Sequence, residues 1–155
     1  MAGRLRDGLT LLEEARAGLD PAGSELLKSR LIAHVGEACL LAGRVEDALG
    51  FADQALYIAR KRGEPGYEAW TLRLLGEVHS RRQPFELERA EESYQLALDR
   101  AQRLGMRLLS AHCHLGLGRL LRHAGRIEAE VHLGSAIRMY RGMAMSMWLE
   151  TAQTV

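Results

Sequence analysis

A repeat with a period near forty residues is the feature that most constrains how this chain folds. Residues 3–9 align with residues 43–49 at an offset of forty, and residues 125–131 keep the Gly-Arg-apolar start of that segment before they diverge. A period of this length is typical of proteins made of stacked helical or mixed units. Each unit in such a protein buries its apolar face only against its neighbours.

The hydrophobic pattern within each unit predicts helices. Apolar residues at Val45, Leu49, Ala52 and Leu56 recur three and four residues apart, which is the spacing of an amphipathic helix. Strand alternation is absent, and aromatic residues make up 5% of the chain, so the sequence gives little support to a sheet. We therefore predict an all-α fold with helices over residues 5–17, 22–42, 45–62, 66–82, 86–104, 106–124, 127–141 and 143–152.

Glycine, with sixteen residues, is abundant and falls into two groups. The first group follows predicted helices, where a left-handed cap favours glycine; it contains Gly18, Gly43, Gly63, Gly105 and Gly125. The second group, Gly36, Gly76 and Gly118, lies inside helices, where glycine costs about 1 kcal/mol relative to alanine. We therefore expect a neighbouring helix to pack closely against each of these three positions.

The small residues of each unit also follow a known pattern. Gly36, Ala48 and Ala55 are separated by twelve and seven residues, which resembles the small-residue positions of the tetratricopeptide repeat. The second unit repeats the pattern with two extra residues in its turn, at Gly76, Ala90 and Ala97. In the third unit, which has Gly118, this spacing falls on Glu130 and Ile137, so we expect its helix pair to pack less closely.

The resemblance implies a right-handed superhelical solenoid of antiparallel helix pairs. It places repeats at about residues 22–62, 66–104 and 106–141 within a single domain of residues 1–155, with half-repeats at 3–17 and 143–152. Residues 66–77 and 104–118 are also similar to the C-terminal repeat regions of bacterial adenylate and guanylate cyclases that carry an ATPase module. That similarity implies an interaction or regulatory scaffold module within a larger bacterial signalling protein.

In this repeat family the first helix of each unit lines a concave groove that binds a partner peptide or helix. The resemblance carries that role onto Arg30, Ala33, Glu37, Leu40 and Leu41, onto Trp70, Arg73, Glu77, Ser80 and Arg81, and onto His112, Leu115, Arg119, Arg122 and His123. The polar and aromatic members are the predicted binding residues: Arg30, Glu37, Trp70, Arg73, Glu77, Arg81, His112, Arg119 and Arg122. We expect the groove to be acidic near Glu37 and Glu77 and basic near Arg119 and Arg122. Trp70 is either a peptide anchor or a packing residue.

No motif in the sequence indicates catalysis, a cofactor or a metal. His112 and His114 flank Cys113, but residues two apart on a helix point about 200 degrees apart, so the two imidazoles cannot share one ion. Phosphate loops and nucleophile motifs are absent, so we expect a protein that is not an enzyme. Cys39 and Cys113 are predicted to be buried, reduced thiols.

Charge and hydropathy limit the classes of partner that we expect this chain to bind. The net charge is +1, which provides no bulk attraction to nucleic acid. No apolar run reaches the length of about eighteen residues that a membrane span needs, so we expect a cytoplasmic protein that binds no membrane. A protein or peptide is the expected partner.

The last predicted helix leaves two alternatives open. Met143, Met145, Met147 and Trp148 fit a helix that caps the third unit, and they also fit a docking face for another subunit. The alternative function is therefore homo-oligomerisation through exposed end helices.

Overall fold

A computed structural model describes residues 28–155 together with Gly8, Thr10 and Glu14. The described part is all-α, with seven helices and no strand: α1 (Lys28–Leu41), α2 (Val45–Arg62), α3 (Pro65–His79), α4 (Leu87–Arg103), α5 (Arg107–His123), α6 (Ala129–Gly142) and α7 (Ser146–Gln153). Of the predicted half-repeat 3–17, only Gly8, Thr10 and Glu14 are described, and each is helical. The predicted helix start at residue 22 and the cap at Gly18 lie outside the described residues.

Each helix packs against the helix that follows it in the chain. The first helices of the predicted units also touch one another, because α3 contacts both α1 and α5. One apolar core runs from α1 to α5, and a second joins α5 to α6 and α7. Helices α1, α3 and α5 therefore lie side by side, where they can form a common surface.

The predicted glycine caps end their helices as expected. Gly43, Gly63, Gly105 and Gly125 all have left-handed backbone, with φ between 66° and 78°. At the first of these turns, the Gly43 N–H donates to the Leu40 carbonyl at 3.1 Å and the Arg44 N–H donates to the Cys39 carbonyl at 2.9 Å. This bond pair is the Schellman motif, which satisfies carbonyls that a helix end leaves unpaired.

A fifth turn of the same kind holds an alanine. Ala144 has φ 55°, and its N–H donates to the Arg141 carbonyl at 3.1 Å while the Met145 N–H donates to the Tyr140 carbonyl at 3.0 Å. This turn delays the start of the last helix to Ser146, three residues later than predicted. This turn could not be predicted from the sequence, because alanine rarely adopts left-handed backbone.

The three predicted in-helix glycines lie where side chains from a neighbouring helix approach. A Cβ added at Gly76 would lie 2.7 Å from the Tyr94 ring, and one at Gly118 would lie 2.6 Å from Leu133. At Gly36 the nearest atom, on Leu74, would be 3.1 Å away. The prediction of close approach is therefore confirmed at all three positions.

The prediction that the third unit packs less closely is wrong. Its buried small residues are Ala129 and Ala136, one position before Glu130 and Ile137, and they are 2% and 0% exposed. From the in-helix glycine to the first buried alanine, the third unit uses eleven residues (Gly118 to Ala129) where the first uses twelve (Gly36 to Ala48), so the alanines shift by one position. Because the seven-residue spacing of the two alanines is kept, the packing against Gly118 is kept as well.

The remaining predictions about the fold concern thiols and membranes. Cys39 and Cys113 are free and buried, as expected. Burial raises the pKa of the Cys113 thiol to about 12, which keeps it protonated and unreactive. Among the described residues, no helix combines the length and apolar character that crossing a bilayer requires.

Candidate functional site

Three adjoining cavities lie along the surface formed by α1, α3 and α5. The central cavity, of about 440 Å³, is lined by Glu37, Leu40, Leu41, Trp70, Arg73, Leu74, Glu77, Arg81, His112, Leu115, Arg119 and Trp148. The Arg30 cavity, also of about 440 Å³, shares Glu37, Trp70 and Leu74 with it. The His123 cavity, of about 230 Å³, shares Glu77, Arg81 and Arg119 with the central cavity. We call the three cavities together the groove.

The structure brings most of the predicted binding residues into this groove. The central cavity contains seven of them: Glu37, Trp70, Arg73, Glu77, Arg81, His112 and Arg119. Arg30 and Ala33 line the Arg30 cavity, and Ser80 and His123 line the His123 cavity. Most lining residues come from α1, α3 and α5, and others come from the turn after α3 and from Trp148 on α7.

Arg122 is the exception, and its predicted place in the groove is corrected. Its exposed guanidinium donates to the Glu130 carboxylate and to the Val155 carbonyl instead. Arg122 follows Arg119 by three residues, which rotates its side chain by about 60° around the helix axis. That rotation directs it toward α6 and the end of the chain.

Arg73 occupies the centre of the groove and neutralises its acidic residues. It donates to the Glu37 carboxylate, and its Nη1 lies 3.6 Å from Glu77 Oε1. Arg81 Nη2 lies 3.2 Å from the other oxygen of Glu77. The expectation of a free acidic half is therefore wrong, because both carboxylates are already paired within the chain.

The Glu37 carboxylate is held in its charged form. Burial alone would raise its pKa, but the hydrogen bond with His34 and the positive charge of Arg73 outweigh that effect and lower the pKa below the usual value. His34 Nδ1 lies 3.2 Å from Glu37 Oε2. The side chain of Arg73 is only 14% exposed, and its Nε is buried without a hydrogen-bond partner. An acceptor on a bound partner that reached this nitrogen would remove an unfavourable feature of the free protein.

Aromatic side chains form one wall of the central cavity. The His112 ring lies 6.0 Å from Trp70 and 4.5 Å from Trp148, measured between ring centroids. The Arg73 guanidinium lies 5.5 Å from the centroid of the Trp70 ring, within cation–π range. Trp70 is half-buried and lines two cavities, so it both packs within the fold and faces the groove.

His112 is a neutral imidazole held by a buried tyrosine. Its Nδ1 lies 2.7 Å from the Tyr140 hydroxyl. Burial, and after it the positive charge of Arg73, lower the pKa of His112 to about 4. His114, two residues later, contacts a different partner, since its Nδ1 lies 3.0 Å from Nδ1 of His132. The two imidazoles diverge as predicted, and the described residues contain no cluster of three or more metal-ligating side chains.

Two guanidinium groups in the groove have no carboxylate partner among the described residues. Arg119 is exposed at the junction of the central and His123 cavities and forms no ion pair there. Arg30 is exposed in its own cavity, and its recorded contact is a 3.5 Å approach of its Nε to His34 Nε2. The groove therefore carries uncompensated positive charge on both sides of Trp70.

Trp148 and Leu74 are the residues of the central cavity that were not predicted from the sequence. Met143, Met145 and Trp148 pack on the second core, as the capping alternative predicted. Trp148 also lines the central cavity next to His112, while Met147 points to solvent with 67% of its surface exposed. Hydrophobic spacing marked the segment as a helix but carried no information on which face meets α5.

Comparison with known proteins gives no relative from which a function could be transferred. Neither a protein-family model nor a curated protein matches this chain.

Proposed function

We propose that this chain is a tetratricopeptide-like interaction module that binds a peptide or helix of a protein partner in the groove. The observation that carries the proposal is the convergence of seven predicted binding residues on one cavity. Those residues were chosen by their position within each repeat, and they come from α1, α3 and α5. A groove that mixes aromatic and guanidinium groups suits protein recognition, because Trp and Arg dominate binding hot spots.

The architecture that we propose for this function is a right-handed superhelical solenoid. Helix contacts in the described part join helices that are one or two places apart in the chain, which supports a linear stack of units. The recurring small residues support it as well, because Ala48, Ala90 and Ala129 are buried at equivalent places in α2, α4 and α6. A linear stack leaves its inner surface open to a ligand.

The groove supports binding better than catalysis. Its carboxylates are neutralised by Arg73 and Arg81, and its histidine is held neutral against Tyr140. Neither group is arranged next to a nucleophile in the described residues. We therefore propose a protein without enzymatic activity of its own.

Intrinsic fluorescence provides a direct test of binding. The chain contains two tryptophans, Trp70 and Trp148, and both line the central cavity. Peptides selected from a random displayed library on the purified chain should change the tryptophan emission on titration. A library that enriches no peptide above an empty support would overturn the proposal.

Substitutions inside and outside the groove test whether the selected peptides bind in the groove or on another surface. We expect Trp70→Ala and Arg119→Glu to weaken binding of the selected peptides at least about tenfold, the loss expected when a hot-spot residue is removed. Tyr57→Ala and Arg89→Glu are matched controls, since both residues are exposed outside the groove on α2 and α4. Circular dichroism should be unchanged in all four. Equal affinity of the groove variants and the controls would place binding on another surface.

Homo-oligomerisation through the end helices is the second candidate function. The exposure of Met147 on α7 favours it, because that side chain would be covered in an end-to-end assembly. Light scattering at increasing protein concentration separates the candidates. Oligomerisation is supported if the measured mass of the unchanged protein rises with concentration and that of Met147→Glu stays at the monomer value. A monomer at every concentration contradicts it.

We also propose that the module regulates a larger bacterial signalling protein. The support for this proposal is the similarity of residues 66–77 and 104–118 to the repeat regions of cyclase and ATPase proteins. The parent gene provides the test. A cyclase or ATPase motif in the same reading frame supports the proposal, and an open reading frame that encodes neither contradicts it.

A further inference from the structure

Resting on the proposed function, we propose that the groove recognises an internal peptide segment in which acidic residues flank one apolar or aromatic residue on both sides. The apolar residue would lie against Trp70, and the acidic residues would pair with Arg30 on one side and with Arg119 on the other. The order of the three cavities, the pairing of the charges within them and the position of Trp70 carry the inference.

The first step concerns net charge. The groove contains four guanidinium groups, on Arg30, Arg73, Arg81 and Arg119, and two carboxylates, on Glu37 and Glu77. Both carboxylates are bound by Arg73 or Arg81. A basic partner would have to break these pairs, while an acidic partner leaves them intact and gains the unpaired cations. Charge complementarity therefore selects an acidic segment.

The second step concerns order along the groove. The Arg30 cavity and the His123 cavity share no lining residue, and the central cavity joins them. Trp70 lies at the first junction and Arg119 at the second. An extended ligand that follows the groove therefore meets a cation, then an aromatic surface, then a second cation.

The third step concerns the anchor. The central cavity offers Trp70 together with apolar and neutral side chains such as Leu40, Leu115 and His112. The guanidinium over the Trp70 ring, that of Arg73, is already paired with carboxylates of this chain. A volume of about 440 Å³ has room for a leucine or an aromatic side chain. The neutral His112 ring adds no charge to this wall, so an apolar side chain can enter without facing an unpaired ion.

The fourth step separates an internal segment from a chain terminus. A terminal carboxylate needs several donors that converge on one point, whereas Arg30 and Arg119 lie in different cavities on either side of Trp70. Between the two cations, Arg73 is already committed to Glu37 and Glu77, while Ala33 and Leu115 offer no side-chain donor. The groove continues beyond Trp70 in both directions, as a through-running chain requires.

Selection from a displayed library of random nonapeptides, fixed at both ends so that neither terminus is free, tests the inference. We expect the enriched peptides to carry Asp or Glu on both sides of a Leu, Phe, Trp or Tyr. Synthetic versions with blocked ends should bind the purified chain, and their affinity should fall as salt rises. Enriched peptides that are neutral or basic would overturn this inference and leave the proposed function standing. If no peptide is enriched, the proposed function fails as well.

Charge-reversal variants of Arg30 and Arg119 test which side of the bound peptide pairs with each arginine. Arg119→Glu should weaken a selected peptide about tenfold or more, and replacing the acidic residues on one side of its anchor with lysine should restore binding to that variant. Binding to Arg30→Glu should be restored only by lysine substitutions on the other side of the peptide's anchor residue. Arg89→Glu is the control and should bind all peptides as the unchanged protein does. Rescue of both variants by the same lysine substitution, or of neither, contradicts the proposed order.

A second copy of the chain is the competing occupant. Sedimentation of the unchanged protein and of Arg30→Glu decides this point. A dimer that dissociates in the variant would mean that the groove holds another copy, and it would overturn the peptide assignment. A monomer in both proteins supports it.

Discussion

At the scale of single residues, Tyr94 shows why glycine occurs inside two neighbouring helices. Its ring lies between Gly76 on α3 and Gly116 on α5, and it is 2% exposed. A Cβ at Gly116 would lie 2.4 Å from the ring, closer than two carbon atoms can approach. Gly116 was no part of the repeat pattern, and only the position of Tyr94 in α4 explains it.

Substitution of these glycines should therefore destabilise the fold. We expect Gly116→Ala to lower the free energy of unfolding by about 1–3 kcal/mol, because the cost of overpacking exceeds the gain in helix propensity. Gly134→Ala is the matched control on α6, where the nearest atom to an added Cβ belongs to the flexible end of Arg138. That variant should gain up to about 1 kcal/mol. Urea unfolding of both variants measures the difference, and equal effects would contradict the explanation.

Three half-buried histidines should make stability depend on pH. Burial lowers the pKa of His112 and His114 to about 4 and lowers that of His132 as well. In the unfolded chain these groups regain a pKa of about 6.5, so the unfolded state binds more protons as the pH falls. We expect full stability above about pH 6.5 and a steady loss between pH 6.5 and pH 5.

Thermal unfolding across that pH range measures this effect. Replacement of His112 and His114 by glutamine should flatten the dependence of the melting temperature on pH, even if it lowers the melting temperature at pH 7. An unchanged slope in the double variant would show that other groups control the response.

At the scale of elements, five of the seven described helices follow one rule at their C-terminal ends, a left-handed turn, which α3 and α7 do not have. Four of the five Schellman turns described above have glycine at the left-handed position, and the fifth has Ala144. Left-handed backbone costs a residue with a Cβ about 1–2 kcal/mol. The turn before α7 therefore holds a conformation that its residue opposes.

Opposite substitutions at equivalent positions test this rule. We expect Ala144→Gly to raise the free energy of unfolding by about 0.5–1 kcal/mol, and Gly105→Ala to lower it by about 1 kcal/mol. Both positions are exposed, so packing changes little. Chemical denaturation supplies both values. Two shifts of the same sign would contradict the conformational explanation.

The helices were predictable because each carries its own signals. Residues 45–62 match α2 at both ends, since a periodic apolar face and a following glycine define its limits. The register of α6 was missed because the loss of one residue between Gly118 and the first buried alanine leaves no mark in hydrophobic periodicity. The candidate site was predictable in its backbone positions, which repeat along the chain. Its electrostatics were not, because the pairing of Glu37 with Arg73 depends on how α1 and α3 cross.

At the scale of the whole molecule, two apolar cores meet on α5. Residues such as Leu109 and Leu117 belong to the first core, and Ala111 and Leu115 belong to the second. Since helices in the described part contact only near neighbours in the chain, the effect of a local defect should decay with distance along it.

Hydrogen exchange can measure that decay. Leu133→Ala removes a buried side chain that packs on Gly118, at a cost of about 2–5 kcal/mol. We expect faster exchange in α6 and α7 and little change in α2 and α3. The reverse experiment, Leu74→Ala in the first core, should accelerate exchange in α3 and spare α7. Uniform acceleration in both variants would show that the molecule unfolds as one cooperative unit.

The unequal turns within the units make the turn before α4 a place to graft foreign sequence. From the in-helix glycine to the first alanine of the second helix, the chain uses twelve residues in the first unit, fourteen in the second and eleven in the third. Helix packing survives all three lengths because the contact is set by small residues within the helices. Gln83 and Pro84 are exposed in the longest of these turns. An epitope or a reporter domain inserted between them would leave the helix packing intact, and it would lie beside the His123 cavity, which the next residue, Phe85, lines.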